Sequence, residues 1–249
     1  KGGDSWFNNT GGKFDSPIPG NYAHMSFLHE IGHALGLAHP HESTPAMPSV
    51  RDHISYTVMS YRSYEGASTG YVNDVFPRTY MIEDIAALQY LYGANFTHNA
   101  GDSSYRWDQV TGEMSINGVG QGAAGSPLVF QTIWDGGGND TYDFSSINSA
   151  VGWIDLRPGA WVYLNGWQRP HLYGGLAPGQ IANSQLYNND LRSLIENAIG
   201  TWGNDFIYGN DAPNYLVGNG GSDELFGFRG GDHLIGGGSS DKLPGGGGH

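Results

Sequence analysis

Residues 196–245 read ENAIGTWGNDFIYGNDAPNYLVGNGGSDELFGFRGGDHLIGGGSSDKLPG, and they repeat with a period of nine. Three columns of residues keep one phase through the whole segment. They are an acidic or amide column (Glu196, Asp205, Asn214, Asp223, Asp232, Asp241), a glycine column (Gly200, Gly209, Gly218, Gly227, Gly236, Gly245) and an apolar column (Ala198, Ile207, Leu216, Leu225, Leu234, Leu243). A flexible glycine-rich linker would not keep three columns in phase, so the period indicates a repeat architecture.

Each nonapeptide has a glycine-rich half and a short apolar half. The glycines bend the backbone and offer carbonyl oxygens to Ca²⁺, while the apolar half forms a strand whose side chain points inward. If two nonapeptides make one turn, residues 18 apart stack along two edges. The first edge then carries Asp205, Asp223 and Asp241, and the second carries Glu196, Asn214 and Asp232. The segment predicts a parallel β-roll that binds several Ca²⁺ ions and needs them to fold.

Two residues of the repeats break the pattern. Asn214 lacks the charge of its column, so we expect a weaker calcium site on its edge. Pro244 has no backbone N–H to donate, so we expect the regular pairing to end or fray there. Gly203 and Gly221, both in glycine-rich halves, are further candidate calcium ligands through their carbonyls.

Residues 96–190 are predicted to be rich in β-strands. Short apolar runs at 127–134, 150–155 and 161–164 alternate with Gly and Asn turns. Between the first two runs lies the segment DGGGNDTYD, residues 135–143. Its residues Asp135, Gly137, Gly138 and Asp140 fit the core of a calcium loop. A plain turn is nearly as good an interpretation of this motif.

A second motif, HEIGHALGLAHP, occupies residues 29–40. Four residues at about 100° each bring His29 and His33 to one face of a helix. Glu30 then lies where a carboxylate reaches a metal-bound water, and a left-handed Gly36 turns the chain back so that His39 becomes the third ligand. Three neutral nitrogens leave the fourth position of a tetrahedral Zn²⁺ open, which is typical of a catalytic site.

The alternative to this zinc site is a chance HExxH on an amphipathic helix. The glycine and third histidine at the correct spacing make that alternative the weaker one. His41 and His53 are poorer candidates for zinc ligands, because a histidine near a metal more often supports a ligand or lies at the surface.

Two further stretches carry a resemblance to a known family. SYTVMSY, 55–61, is similar to the methionine turn of metzincins, and MIEDIAALQYLYGAN, 81–95, is an apolar-periodic helix closed by Gly93. With the histidine motif and the repeats, they resemble the serralysins, calcium-dependent secreted zinc proteases of Gram-negative bacteria. The resemblance implies that Met59 lies beneath the zinc, that Tyr61 is an additional zinc ligand that also steadies the oxyanion, and that Asp102 belongs to a calcium loop.

The resemblance also predicts an α+β fold with two domains. Residues 1–95 would form the metzincin-type catalytic domain, without the sheet that serralysins carry ahead of the zinc helix. Residues 96–249 would form an all-β, parallel β-roll domain with repeats at about 196–249. Lys1 is then not expected to be the natural start, and the chain is also expected to be truncated after His249.

Composition narrows the class of function. The 249 residues contain no cysteine, which excludes a disulfide framework, a thiolate metal site and a cysteine nucleophile. The formal net charge is −13, which argues against nucleic acid or an anionic membrane as a partner and suits cation binding. No stretch reaches the roughly 20 apolar residues of a membrane span.

The motifs and the resemblance together predict a secreted, extracellular zinc metalloendopeptidase with one catalytic Zn²⁺ and several structural Ca²⁺ ions. Glu30 would act as general base on a zinc-activated water, and the resemblance implies that Tyr61 stabilises the oxyanion. Protein substrates, a small proteinaceous inhibitor and a monomeric state follow from the resemblance. The alternatives are an inactive fragment serving as a calcium-dependent β-roll module for binding, adhesion or secretion, and a zinc hydrolase of something other than peptides.

Overall fold

Two α-helices lie in the computed structural model, which describes residues 7–42, 45–68, 75–164, 169–172 and 175–246. Helix α1 is Tyr22–Ala34, and the side chain of Asn21 caps it by accepting from the His24 N–H at 2.9 Å. Gly36, with φ of 95°, turns the chain back beyond its end, as predicted. Helix α2 is Ile82–Tyr92, followed by Gly93 with φ of 81°. Lys1 and His249, on which the expectations about the chain ends rest, lie outside the described residues.

Short β-strands occur from residue 104 onward. They are β1 Ser104–Trp107, β2 Met114–Ile116, β3 Val119–Gly120, β4 Gln131–Ile133, β5 Thr141–Asp143, β6 Val151–Asp155, β7 Trp161–Leu164, β8 His171–Leu172, β9 Gly175–Leu176, β10 Ile181–Asn183, β11 Asn197–Ile199, β12 Asn204–Tyr208, β13 Tyr215–Asn219, β14 Glu224–Phe226 and β15 His233–Gly237. The three apolar runs predicted as strands contain β4, β6 and β7. The described chain is thus mostly β-sheet.

The strands of the repeats form two parallel ladders. One ladder runs β5–β11–β13–β15 and the other runs β6–β12–β14. Tyr215 pairs with Asn197 and with His233, and Glu224 pairs with Phe206, so every partner within the repeats is 18 residues away. This register confirms that two nonapeptides make one turn of a β-roll. Gly221, with φ of 101°, sits so close to the carbonyl of Gly203 that any side chain there would clash.

The apolar column packs in the core between the two ladders over most of its length. Its first four members (Ala198, Ile207, Leu216, Leu225) have no exposed surface. Leu234 is half-buried against the same core. The prediction was wrong for Leu243, which is 44% exposed because only an isolated bridge, Glu224 to Lys242, precedes it instead of a strand. The regular pairing therefore ends before Pro244, as expected.

The parallel pairing of the β-roll does not extend through the whole β-rich part. The pairs β1–β2, β2–β3, β6–β7 and β7–β10 are antiparallel. Asn117 and Gly118, with φ of 51° and 78°, form the two-residue connection of the β2–β3 hairpin. Short connections of this kind join antiparallel neighbours, whereas a parallel pair needs the longer path that a nonapeptide turn supplies.

A separate apolar core lies under the histidine helix. It contains Met59, Val58 and Ile54 from the turn region, together with Phe130 and Leu172 from the β-rich part. The guanidinium of buried Arg78 strengthens this junction by donating to the carbonyls of Gly112, Ser126 and Leu128 at 2.5 to 2.9 Å. Burial lowers the pKa of Arg78 to about 10, so the group stays charged at neutral pH. A domain boundary at 95/96 stays a prediction.

Within the described residues, neither helix is long and apolar enough to cross a membrane.

Candidate zinc and calcium sites

The three histidines of the HEIGHALGLAHP motif meet at one point. His29 and His33 project from the same face of α1, and the turn at Gly36 returns His39 to them. Nε2 of His39 lies 3.2 Å from Nε2 of His29 and 3.0 Å from Nε2 of His33. His29 is buried, while the other two rings are half-buried. The three Nε2 atoms therefore converge on one small, partly shielded volume.

The hydrogen bond at Nδ1 of each ring shows which of its two nitrogens carries the proton. Nδ1 of His29 lies 2.8 Å from the carbonyl oxygen of Val58, and Nδ1 of His33 lies 2.9 Å from that of Leu37. Nδ1 of His39 lies 2.9 Å from a carboxylate oxygen of Glu42. Since these oxygens only accept, each Nδ1 donates, and each neutral ring presents an Nε2 lone pair.

Three lone pairs at this separation repel one another unless a cation lies between them. Zn–N bonds of about 2.0–2.1 Å in a tetrahedron put the ligand nitrogens about 3.3 Å apart. The measured 3.0 and 3.2 Å are close to that value. The donor set, its protonation and its spacing thus fit Zn²⁺ with one position left open.

Glu30 and Tyr61 lie beside the histidines. Glu30 is half-buried on α1, and its charge is close enough to affect the pKa of both His29 and Tyr61. The ring of Tyr61 lies 4.4 Å from that of His39 and stacks on that of His29 at 5.4 Å. Burial, and then the charges of Glu30 and Glu42, raise the pKa of the Tyr61 hydroxyl, which keeps it a proton donor.

The turn that carries Met59 packs directly beneath α1. Met59 is buried, and its sulfur would lie 2.6 Å from a Cβ placed on Gly32. A glycine at this position of the motif therefore allows the helix to rest on the methionine. Gly32 is visible in the sequence between His29 and His33, but its role depends on a contact with Met59, which lies 27 residues further along the chain.

A buried carboxylate that the sequence reasoning did not single out holds this turn in place. Asp84, at the start of α2, accepts from the hydroxyl of Thr57 at 2.6 Å and from the N–H groups of Val58 and Met81 at 2.8 and 2.9 Å. The carbonyl of Val58 in turn accepts from His29. Burial raises the pKa of Asp84 to about 6 against the effect of these hydrogen bonds. Asp84 thus supports the ring of His29 through one intervening residue, Val58.

His53, the other histidine considered, is buried and packs edge-on against Tyr56 at 5.0 Å. Among the described residues, groups of three or more ligating side chains within 4.8 Å occur only around His39. The predicted calcium ligands form no such group, and their sites would depend on backbone carbonyls for the remaining oxygens.

The predicted calcium ligands of the repeats nevertheless stack in two ladders. On the first edge, a carboxylate oxygen of Asp223 accepts from the N–H of Asp205 at 2.8 Å, and one of Asp241 accepts from that of Asp223 at 3.0 Å. On the second edge, Glu196 accepts from Asp140 at 2.7 Å and Asp232 from Asn214 at 3.0 Å. Both edges are the ones predicted.

The second oxygen of several carboxylates is buried without a hydrogen-bond partner among the described residues. These oxygens are Oδ2 of Asp140, Asp223 and Asp232. Burial is the main cause that raises the pKa of Asp140 to about 8 and that of Asp223 to about 6. An uncompensated carboxylate oxygen is costly in this environment, and a bound cation would remove the cost.

Asn214 has an uncharged amide where the other residues of the second edge, Glu196 and Asp232, have a carboxylate. Its amide donates to the carbonyl of Glu196 at 2.8 Å and to the side chain of Asn210 at 3.1 Å. The amide therefore satisfies oxygens that would otherwise be available to a cation. A weaker calcium site on this edge stays a prediction.

The DGGGND loop lies against the start of the second ladder. Buried Asp135 accepts from Tyr105 at 2.6 Å and from the N–H of Gly137 at 2.8 Å. Asp140 accepts from the N–H of Ser103 at 2.8 Å, and exposed Asp102 accepts from Asn139 at 2.9 Å. Gly137 and Gly138 have φ of 138° and 149°. The structure thus brings Asp102, Asp135, Asp140 and Glu196 into one connected region.

Comparison with known proteins gives matches over most of the chain. The family described as Peptidase M10 serralysin C terminal matches residues 87–168, and the RTX calcium-binding nonapeptide repeat matches 199–227 and 226–249. Serralysin of Proteus mirabilis is 37% identical over 210 residues, which are 81% of this chain and 38% of the relative. Metallopeptidase AprA of Pseudomonas marginalis is 34% identical over 227 residues, with coverages of 86% and 43%.

This chain belongs to the serralysin family. Serralysin C of Dickeya chrysanthemi supports the assignment, with 37% identity over 213 residues, 82% of this chain and 40% of the relative. The serralysin-family chain spans about two fifths of the length of these relatives. Its repeats are calcium-binding RTX repeats, whereas membership alone does not assign the catalytic activity of the longer relatives to it.

Proposed function

We propose that the chain carries the catalytic centre of a secreted zinc metalloendopeptidase that RTX calcium sites stabilise. The observation that supports this most strongly is the convergence of the Nε2 atoms of His29, His33 and His39 at 3.0 and 3.2 Å. Each Nδ1 is engaged by an acceptor, so all three lone pairs face the same point. Zn²⁺ bound there would supply an acidified water and polarise a peptide carbonyl.

The remaining chemistry belongs to side chains of this chain. Glu30 takes the proton of the attacking water and later delivers it to the leaving amine. Tyr61, whose ring lies 4.4 Å from that of His39, donates a hydrogen bond to the oxyanion as it develops. Asp84 and Met59 hold the turn that positions the carbonyl of Val58, and thereby the ring of His29.

Calcium has a structural role in this proposal. The chain has no cysteine, so the cross-links that commonly staple small exported domains are absent. Ca²⁺ at the two edges of the roll takes their place by neutralising the stacked carboxylates. Extracellular location, protein substrates, sensitivity to a small proteinaceous inhibitor and a monomeric state are parts of the same proposal.

Hydrolysis of casein tests the proposal. The chain is assayed with Zn²⁺ and Ca²⁺ beside Glu30→Ala, and zinc content is measured in both. We expect cleavage by the parent chain, a loss of at least about 100-fold in the variant, and equal zinc in the two. A variant that retains most of the activity would show that Glu30 is not the general base.

A second candidate function is a calcium-dependent β-roll module for binding or secretion with an assembled but inactive zinc site. The observation that favours it is coverage, since the chain spans only 38% to 43% of its relatives. In the same assay this function predicts bound zinc without cleavage by either chain.

A further inference from the structure

We infer that a second transition-metal site lies beside the three-histidine site, with His41 Nε2 and Glu42 Oε1 as its protein ligands. The ligating atoms of His39, His41 and Glu42 all lie within 4.8 Å of one another. The two proposed ligand atoms are 3.8 Å apart. An ion bound to both at about 2.0–2.2 Å sits between them at an angle of roughly 130°. A small rotation of the exposed Glu42 side chain brings that angle to a tetrahedral value.

The ring of His41 is already oriented for this role. It stacks on the ring of His39 at 5.5 Å with an interplanar angle of 3°, and it lies 5.7 Å from the ring of Tyr61. Its side chain is 26% exposed, and its Nδ1 is shielded from solvent. The nitrogen that a metal ion from solvent can reach is therefore Nε2, and little side-chain freedom remains to be lost on binding.

The carboxylate of Glu42 is shared between the two sites. Its Oε2 accepts from Nδ1 of His39 at 2.9 Å, while its Oε1 faces His41. Binding of a second ion to Oε1 leaves the His39 hydrogen bond intact. The side chain of Glu42 is 63% exposed, so water completes the coordination of the second ion.

The ligand set selects the class of ion. One imidazole and one carboxylate suit Zn²⁺, Co²⁺ or Ni²⁺, whereas Ca²⁺ and Mg²⁺ prefer oxygen alone. Two protein ligands bind more weakly than three, so this site fills after the three-histidine site. A second cation on Glu42 also draws negative charge away from His39. Excess Zn²⁺ is therefore expected to inhibit the peptidase, a consequence that rests on the proposed function, whereas the second binding step does not.

Titration with Co²⁺ tests the site. The chain is stripped of metal with a chelator, saturated with Ca²⁺ to occupy the roll, and titrated while visible absorption and bound cobalt are measured. We expect two equivalents, the second weaker than the first. His41→Ala should bind one equivalent, with the second step weakened at least tenfold. His171→Ala, which removes an exposed histidine outside every ligating group, should still bind two.

The outcomes separate the two proposals. Absence of both equivalents in the parent chain contradicts the three-histidine zinc site. One equivalent in the parent chain, or two in His41→Ala, overturns the second site alone. If His41→Ala binds no Co²⁺ at all, the titration is repeated with His41→Gln. Binding of one equivalent of Co²⁺ by His41→Gln supports the second site. Binding of no Co²⁺ by His41→Gln overturns the assignment of His41 to a site distinct from the three histidines.

Discussion

At the level of single residues, Gly32 is the position where the histidine helix packs closely on the methionine turn. Gly32 faces Met59, whose sulfur would lie 2.6 Å from an added Cβ. We predict that Gly32→Ala lowers the free energy of unfolding by about 1–3 kcal/mol, because overpacking forces the helix and the turn apart. Chemical denaturation measures this change, and a chelator competition assay measures the accompanying loss of zinc affinity.

The control for this change lies on the same helix. Ile31 is 45% exposed, and substitutions at exposed positions usually stay within about 0.5 kcal/mol. Ile31→Ala should therefore leave stability and zinc affinity nearly unchanged. Equal effects of the two substitutions would mean that Gly32 is not held by its contact with Met59.

Asp84 provides a prediction of pH dependence. Burial raises its pKa to about 6 in the folded chain, against about 3.9 when unfolded. The stability contributed by its protonated form is complete below the unfolded value and is lost as the pH rises through 6. Between pH 4.5 and 7 the parent chain should therefore lose stability relative to Asp84→Asn, by about 2 kcal/mol. Urea denaturation of both chains across this range measures the difference, and parallel pH profiles would contradict the assignment.

At the scale of elements, Asn214 decides how the second edge of the roll responds to calcium. Its amide donates to Glu196 and Asn210, and a carboxylate in its place would face those same oxygens. We predict that Asn214→Asp makes folding of the roll depend more steeply on calcium concentration, because the added carboxylate needs a cation in place of the hydrogen bonds that the amide donates. Circular dichroism during a calcium titration measures this steepness.

Asn189→Asp introduces the same charge at an exposed position and should leave the calcium dependence of folding unchanged. An equally unchanged calcium dependence in Asn214→Asp would show that the amide does not take the place of a cation on this edge.

The elements also show which features the sequence predicted and which it could not. The positions of His29, His33 and His39, and the stacking of residues 18 apart, follow from local periods, so both were predictable. Glu42 and Asp84 were missed because their roles come from hydrogen bonds to His39 and to the Met59 turn. The β2–β3 hairpin was also predictable, because the pair Asn117 and Gly118 is typical of a two-residue hairpin turn. Leu243 follows the period of nine, yet the strand that would bury it does not form.

At the scale of the whole molecule, calcium should determine whether the β-rich part is folded. The chain carries a net charge of −13, and three carboxylate oxygens of the ladders are buried without a partner in the described structure. We predict that a calcium chelator abolishes the β-sheet signal of the roll in circular dichroism, and that Ca²⁺ restores it. Mg²⁺ should not, because it binds poorly to cages built entirely from protein oxygens. An unchanged spectrum without calcium would contradict the coupling of folding to binding.

Phe130 and Leu172, from the β-rich part of the chain, belong to the apolar core beneath the histidine helix. The β-rich part therefore supports the histidine helix as well as carrying the calcium-binding repeats. Arg78 joins the same regions through three backbone carbonyls. This contact gives a physical route by which loss of calcium would weaken the zinc site.

We propose that His29, His33 and His39 together bind one catalytic zinc ion. X-ray absorption spectroscopy of the chain loaded with one equivalent of Zn²⁺ in excess Ca²⁺ tests it most directly. We predict three imidazole nitrogens at about 2.0–2.1 Å with one additional oxygen shell, and the loss of one imidazole in His39→Ala. A first shell with fewer than three imidazoles, or one that His39→Ala leaves unchanged, would contradict the account.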